Sequence, residues 1–372
     1  MIRCPRATWL YIHNQCCSEI REATVILYLI GSSVVTHSLA HRRATIYLGI
    51  CQGVPVKLNV DPIYHQETLP EDQSNLPTMP NKSFTLDTEH GLISITSNTP
   101  TTSKPTLLLL HGNSSSSKIF RPIQQSESTS SDWHILTFDL PGHGASSNAP
   151  DPKQSYTMRG YASLALTILT HLNISDVVVL GWSLGGHIGI ELLALLRDQE
   201  SIRMKGLMLI GTPPALGEEQ TGQGFTSTDP HLGLAAQRDW NVDEAKEFAR
   251  MSAGAPFEPW MEACAIRTHG RAREIMWEDF ADRSAGGVDQ VAVVETSTDV
   301  LIAVVNGGDE PFINLGYLDE IKWGNLWKGE CVKLKGLKHA PFWEAPGIFE
   351  DVLKNFLGDC VHENKQVERF RD

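Results

Sequence analysis

One serine stands between two glycines at a point where the pattern predicts that a strand turns into a helix. The stretch reads G-W-S-L-G from Gly181 to Gly185, and the apolar residues Val177 to Leu180 precede it. Glycines let a tight turn form without a Cβ clash, and the first N–H groups of the new helix then face whatever the hydroxyl attacks. The arrangement therefore predicts that Ser183 is a nucleophile.

A histidine and an acid are needed beside such a serine, because its hydroxyl must lose a proton and the base must be oriented. His339, in "GLKHAPF", follows the last predicted strand and is the candidate base. Asp309 and Glu310 follow the strand predicted at Val300–Val305, and both are candidate acids. Neighbouring side chains point in different directions, so only one of the two can reach the histidine.

Backbone N–H groups near Ser183 are candidates to hold an oxyanion. Asn113 lies in "HGNSSSS", directly after a predicted strand, and a glycine at that place allows the backbone to pass close to a ligand. Leu184 is the residue after the serine. We expect the N–H groups of Asn113 and Leu184 to form the pair.

Short apolar runs alternate with helical patterns from Phe84 onward, and this alternation predicts an α/β fold. We expect a mostly parallel sheet with helices on both faces. Between the predicted strands Gly206–Ile210 and Val300–Val305 the pattern turns helical, and residues 212–298 are predicted to form a cap over the carboxyl edge of the sheet. The predicted sheet consists of a hairpin around His90–Gly91 and strands at Thr106–Leu110, Trp133–Leu140, Val177–Leu180, Gly206–Ile210, Val300–Val305 and Cys331–Leu334.

The amino-acid composition limits the classes of partner and cofactor that we expect for this protein. A formal net charge of −13 disfavours nucleic acid and anionic membrane surfaces, both of which favour a basic face. The seven cysteines form no disulfide or zinc pattern, which favours reduced thiols and a cytoplasmic protein. No histidine–aspartate cluster or dinucleotide fingerprint is present, so we expect neither a metal nor a cofactor.

Residues 1–82 are predicted to be an extension and linker without a catalytic role. The apolar stretch at 23–40 leaves three interpretations open: a membrane anchor, a targeting segment or an appendage. Membrane contact is expected only if this stretch is an anchor. The sequence leaves the oligomeric state open.

The chain from about Ser83 to Cys360 resembles the α/β-hydrolase superfamily, and within it the serine-dependent N-acyl-homoserine lactonases. The motifs that carry the resemblance are "HGNSSS", "DLPGHG", "GWSLGGHIGIE", "GTPP", "GQGF", "HGRAR", "IAVVNG", "DEPF", "WGNLW" and "HAPF". The resemblance implies an α/β-hydrolase catalytic domain at 83–372 and a small-molecule ester or lactone as substrate.

The same resemblance implies roles for individual residues. Ser183 is the nucleophile, His339 the base and Glu310 the acid, with Asp309 as the alternative. Asn113 helps to hold the substrate carbonyl. A tyrosine of the lactonase cap aligns with Phe248, so one hydroxyl is missing here. Apart from the resemblance, the cap aromatics Trp240, Phe248, Phe257, Trp260 and Trp277 have two interpretations: they shelter an apolar acyl chain, or they pack the cap against the core, and for any single one packing is favoured. Trp182, beside the nucleophile, is the better pocket candidate.

Three functions remain open at this stage. The first is hydrolysis of an ester or lactone through an acyl-enzyme, with N-acyl-homoserine lactones favoured. The second is an esterase or acyltransferase acting on another small ester or lactone. The third is a ligand receptor on the same fold, since such receptors can retain the three residues.

Overall fold

The computed structural model describes residues 45–49, 55–59, 82–99, 104–226, 231–283 and 286–368. The chain divides into two units, Met1–Leu76 and Pro77–Asp372. In the first unit, strands β1 (Thr45–Gly49) and β2 (Pro55–Asn59) pair antiparallel.

The apolar stretch 23–40 lies outside the described residues, as does most of the predicted extension 1–82. The interpretations of that stretch therefore stay predictions. In the ranges that the structure does describe, no helix is long and apolar enough to cross a membrane.

The second unit is built on an eight-stranded sheet of order β10-β9-β8-β7-β5-β6-β4-β3. The hairpin β3–β4 joins it antiparallel to β6, and all the other neighbours pair in parallel. The predicted mostly parallel α/β sheet is confirmed. Its strands are β3 (Lys82–Thr88), β4 (Gly91–Ser97), β5 (Thr106–Leu110), β6 (His134–Phe138), β7 (Asp176–Trp182), β8 (Arg203–Ile210), β9 (Leu301–Gly307) and β10 (Val332–Leu334).

Both faces of this sheet are covered, which explains why its central strands are continuous apolar runs. In β5, Leu108 and Leu110 point into the core that also contains Ile188 and other side chains of the helices at Met158–His171 and Leu184–Leu196. Leu107 and Leu109 point to the opposite face, where Phe356 of the last helix packs.

Helices occupy the segments between the strands and the end of the described chain. A short helix directly after His339 was not predicted. The helices are α1 (Arg121–Gln125), α2 (Glu127–Asp132), α3 (Pro152–Ser155), α4 (Met158–His171), α5 (Leu184–Leu196), α6 (Gly217–Gly224), α7 (Val242–Ala253), α8 (Pro259–Arg267), α9 (Gly270–Ala281), α10 (Gln290–Thr296), α11 (Leu315–Glu320), α12 (Pro341–Glu344) and α13 (Pro346–Glu368).

Residues 212–298 lie between β8 and β9 and contain the helices α6 to α10. We call this range the helical insertion. Its helices start at recognisable signals: Asn241 and Glu244 form a capping box at α7, and Pro259 occupies the first turn of α8. Within its described residues the insertion contains no strand, in line with the helical pattern of its sequence.

Candidate functional site

Ser183 lies at the junction of β7 and α5, in the segment Gly181–Gly185 that we call the serine turn. Its backbone has φ 55° and ψ −122°, a conformation that a non-glycine residue rarely adopts. Hydrogen bonds hold this strained residue from both sides. The N–H of Ser183 donates to the carbonyl oxygen of Ile210 at 2.7 Å, and the carbonyl oxygen of Ser183 accepts from Gly186 and Thr212 at 2.9 Å each.

The two glycines of the serine turn are required by close backbone approaches. A Cβ on Gly181 would overlap the carbonyl oxygen of Gly185, and a Cβ on Gly185 would overlap the carbonyl oxygen of Leu110 in β5. Both obstacles are backbone atoms, so neither can move aside cheaply. The first turn of α5 therefore lies directly against the end of β5.

We expect Gly185→Ala to lower the free energy of unfolding by about 1–3 kcal/mol, because the added methyl group has no space against β5. Gly189→Ala, on the same helix, is the matched control: its Cβ would meet side-chain atoms rather than backbone, those of Leu207 at 2.8 Å and Val179 at 3.5 Å. The gain in helix propensity there keeps the change within about 1 kcal/mol. Denaturant unfolding of the two variants measures the difference, and equal destabilisation would contradict this account of the turn.

His339 and Glu310 form a buried hydrogen-bonded pair. The Nδ1 atom of His339 lies 2.8 Å from Oε1 and 2.9 Å from Oε2 of Glu310, and the Glu310 side chain is 0 % exposed. The N–H of Phe312 also donates to Oε1 of Glu310, at 3.0 Å. Since the carboxylate only accepts, it keeps the imidazole proton on Nδ1 and leaves the lone pair on Nε2.

The His339 ring is also held by its packing. A Cβ on Gly211, which has φ +60°, would lie 2.5 Å from Cε1 of the ring. The Phe312 ring packs edge-on at 5.0 Å between centroids, and the Trp182 indole N–H donates to the His339 carbonyl oxygen at 2.9 Å. These contacts leave the imidazole little freedom to rotate.

Asp309 does not share this environment. Its side chain is exposed, and its backbone N–H donates to the carbonyl oxygen of Leu337 at 2.9 Å. The structure thus brings Glu310 to His339 and turns the neighbouring carboxylate toward solvent. The same backbone bond ties the loop after β9 to the loop that carries His339.

The loop after β5 passes close to the serine turn. A Cβ on Gly112 would lie 3.1 Å from Cβ of Ser183. Within the described part of the chain, the N–H groups of Asn113 and Leu184 have no acceptor. The Asn113 amide group donates to the carbonyl oxygen of Ala235 at 2.9 Å, which links this loop to the helical insertion.

Two buried residues that the sequence analysis did not single out fix these loops. The His111 ring bridges the loops after β5 and β6: its Nδ1 lies 2.8 Å from the Gly112 carbonyl oxygen, and its Nε2 accepts from the N–H of Leu140 at 3.0 Å. The Asp139 carboxylate accepts from two backbone N–H groups, those of Ser117 and Ala145, at 2.7 Å each. Their positions directly after strands were the available signal.

An apolar cavity of about 590 Å³ of empty space, its mouth included, opens at Ser183 and His339. Of the predicted site residues, Asn113, Trp182, Leu184, Phe248 and Trp277 also line it, whereas Trp240, Phe257 and Trp260 do not. Trp240 instead packs against Phe248, with 4.8 Å between ring centroids. The remaining lining residues are Met158, His187, Phe225, Leu232, Ala235, Ser252, Met276, Phe280, Phe312 and Ile313.

Ser183 and His339 both line this cavity. Both belong to the described part of the chain, and their side chains form no direct hydrogen bond with each other. Such bonds are often long without substrate and shorten in the complex. His187, which the sequence analysis missed, lies on the same wall, and its spacing of four residues from Ser183 was a usable signal because residues i and i+4 share a helix face.

The described residues contain no group of three or more histidine, cysteine, aspartate or glutamate side chains placed to hold a metal ion. The site offers acid–base and nucleophilic groups from the chain itself: one strained serine, one oriented imidazole with a buried carboxylate, and free N–H groups beside the serine.

Comparisons with known proteins agree with this geometry. Residues 105–346 match the model of a family described by its alpha/beta hydrolase fold. A solved structure of a variant of N-acyl homoserine lactonase AidH, complexed with N-hexanoyl homoserine lactone, is 42% identical to the chain and superposes with a TM-score of 0.70. That alignment covers 76% of this chain and 99% of the lactonase.

Curated relatives are more distant. A 2-succinyl-6-hydroxy-2,4-cyclohexadiene-1-carboxylate synthase of Klebsiella pneumoniae is 28% identical over 158 residues, which are 42% of this chain and 54% of the synthase, so the match spans about half of that enzyme. An esterase/lipase of Mycoplasma pneumoniae is 26% identical over 240 residues, which are 63% of this chain and 81% of the relative. The family match, the lactonase likeness and the eight-stranded sheet lead to one assignment: this chain belongs to the alpha/beta hydrolase family.

Proposed function

We propose that the protein is a serine hydrolase that opens lactones or cleaves esters through an acyl-enzyme, with N-acyl-homoserine lactones as the favoured substrates. The observation that carries the proposal is the pairing of His339 with the buried Glu310 at the cavity where the strained Ser183 turn opens. The catalytic domain would comprise residues 83–372, with the helical insertion as its cap.

In the first half of the reaction, Nε2 of His339 takes the proton from the Ser183 hydroxyl as its oxygen attacks the substrate carbonyl carbon. The Glu310 carboxylate stabilises the resulting imidazolium through Nδ1. The negative charge on the carbonyl oxygen is held by the N–H groups of Asn113 and Leu184, and each such donor typically contributes about 3 kcal/mol to transition-state stabilisation.

In the second half, the imidazolium gives its proton to the leaving oxygen, which breaks the ester bond and leaves the acyl group on Ser183. For a lactone, the new hydroxyl stays attached to that acyl group. His339 then takes a proton from water, whose oxygen attacks the acyl carbon. Collapse of this second intermediate returns the proton to Ser183 and releases the hydroxy acid.

Two observations favour a lactone that carries an apolar acyl chain. The cavity walls are largely aromatic and aliphatic side chains, among them Phe225, Trp277 and Ile313. The structurally similar lactonase has been solved with N-hexanoyl homoserine lactone, a ligand of that shape.

The proposal is tested by incubating the full chain with N-acyl-homoserine lactones of several chain lengths, unsubstituted lactones and linear esters. Mass spectrometry then measures the gain of one water. We expect the acylated lactones to give the highest kcat/KM. Loss of activity in the Ser183→Ala protein is the control for contaminating hydrolases. If no compound on the panel is hydrolysed, the proposal is wrong.

Phe248 offers a test of the substrate preference. Its ring lines the cavity, and the resemblance to the lactonases aligns it with a tyrosine. Phe248→Tyr adds one hydroxyl that can donate to a lactone, a contribution of about 0.5–1.5 kcal/mol. We expect kcat/KM for homoserine lactones, relative to simple esters, to rise roughly three- to twelve-fold.

The matched control for this test is Phe225→Tyr, which adds the same hydroxyl at another cavity-lining phenylalanine. An equal change in both variants, or none in either, would contradict a specific role of position 248.

A further inference from the structure

The cavity contains a polar group that the proposed reaction does not use. His187 lies on α5, one helical turn after Ser183, and its side chain lines the same cavity although the residue is only 3% exposed. Its ring packs against Phe280 at 4.7 Å and Phe225 at 6.2 Å between centroids. A histidine among aromatic rings needs hydrogen-bond partners for both of its nitrogens.

One nitrogen of His187 has its partner within the protein. Nδ1 lies 2.7 Å from Oε1 of Gln290. The N–H of Ala215 also points at this Gln290 atom, at 3.4 Å, which identifies it as the amide oxygen. Since an amide oxygen only accepts, Nδ1 carries the proton and Nε2 keeps its lone pair. Burial lowers the pKa of His187 to about 4, so the ring is neutral near pH 7.

The other nitrogen, Nε2, receives no hydrogen bond from the described part of the chain. Because the His187 side chain lines the cavity and its Nδ1 is bonded to Gln290, Nε2 is the polar atom that this side chain has left to offer to the cavity. Two other polar side chains of the cavity lining are already engaged: the Asn113 amide donates to the carbonyl oxygen of Ala235, and the Ser252 hydroxyl donates to that of Phe248. Besides the reacting groups of Ser183 and His339, the described lining thus presents Nε2 of His187 as an acceptor that is held in orientation and has no donor from the protein.

We propose that Nε2 of His187 accepts a hydrogen bond from an N–H of the substrate, and that the site thereby selects lactones N-acylated beside the carbonyl. This inference rests on the proposed hydrolase function. In such a lactone the amide nitrogen is two bonds from the carbonyl carbon that Ser183 attacks. Ser183 and His187 are separated by about one helical turn, roughly 5–6 Å, a distance that a bound carbonyl and its neighbouring amide can span.

The test uses two substrates: N-hexanoyl homoserine lactone and its analogue in which a methylene group replaces the amide N–H. Ring opening is followed for both in each preparation of the full chain, and the ratio of the two kcat/KM values is compared. An unfolded fraction lowers both values equally and cancels in the ratio. We expect the wild-type protein to favour the amide roughly ten-fold or more, because without that N–H the buried acceptor stays unpaired.

His187→Phe keeps a ring of similar size and removes the acceptor, and its ratio should fall toward unity. His187→Gln retains an acceptor oxygen and should keep part of the preference. Met276→Leu, a volume-conserving change at another cavity-lining residue, should leave the ratio as in the wild-type protein.

The proposed role of His187 and the proposed hydrolase function would be contradicted by different results. If the wild-type protein opens both lactones equally, or His187→Phe keeps the preference for the amide, the role of His187 is wrong and the hydrolase function stands. If the wild-type protein opens neither lactone nor any ester, the proposed function is wrong, and this inference is wrong with it.

Discussion

Ser183→Ala is expected to abolish turnover and covalent labelling by a fluorophosphonate while the protein stays folded. The substitution removes only the attacking oxygen. The backbone conformation of this turn is as strained for alanine as for serine, so the stability of the fold should change little. From the behaviour of other serine hydrolases, we expect kcat to fall by about 10⁴-fold or more. Ester hydrolysis, gel-based labelling and circular dichroism of the purified variant measure the three properties.

The cavity supplies a control for this variant, because Ser252 also lines it. Its hydroxyl donates to the Phe248 carbonyl oxygen at 2.8 Å, an ordinary bond within a helix. Ser252→Ala should therefore still react with the phosphonate. Labelling that survives in Ser183→Ala and disappears in Ser252→Ala would reverse the assignment.

The backbone of Ser183 adds a second expectation for this position. Its φ of 55° is one that glycine adopts without strain. Ser183→Gly should be as inactive as the alanine variant and more stable than the wild-type protein by about 1 kcal/mol, measured by denaturant unfolding. A gain in stability together with a loss of activity is the pattern expected of a residue whose strain serves function.

The sheet was predictable from the sequence because buried parallel strands are short continuous apolar runs. The runs at Thr106–Leu110 and Val177–Leu180 became β5 and β7, and β7 extends two residues further because Gly181 and Trp182 continue the pairing with β8. The short helix α12 was missed, since four residues are too few to show a periodicity.

The cavity lining was only partly predictable. Trp260 and Phe257 are aromatic residues of the insertion, as Phe248 and Trp277 are, yet they face elsewhere: Trp260 packs against Trp343, and Phe257 lies beneath the guanidinium of Arg250. Residue type indicates that an aromatic side chain will be buried. It does not indicate against which element, because that depends on how α7 and α8 pack on the sheet.

Residue types and their position after a strand did not separate the two adjacent acids, and only the family resemblance implied Glu310. Both carboxylates follow β9 within three residues of its last glycine, and either could in principle orient His339. The path of the loop separates them: the N–H of Asp309 donates to the carbonyl oxygen of Leu337, and the Glu310 side chain points inward, where it contacts His339 and accepts from the N–H of Phe312. The Asp309 residue is exposed.

Glu310→Gln is accordingly expected to lower kcat on the order of 10³-fold or more, and Asp309→Asn by less than about ten-fold. The N–H of Phe312 requires an oxygen at the Oε1 position, so the new amide NH₂ group takes the Oε2 position, 2.9 Å from Nδ1 of His339. The Nδ1 proton keeps Oε1 as an acceptor at 2.8 Å, but the NH₂ group beside it repels this proton. The neutral amide also lacks the negative charge that stabilises the imidazolium, so proton transfer from Ser183 slows. Ester hydrolysis by the two variants measures the ranking, and phosphonate labelling of Glu310→Gln should slow in parallel. If Asp309→Asn is the more damaged enzyme, the exposed carboxylate is the one that works, and the buried pair seen here has no part in orienting the base.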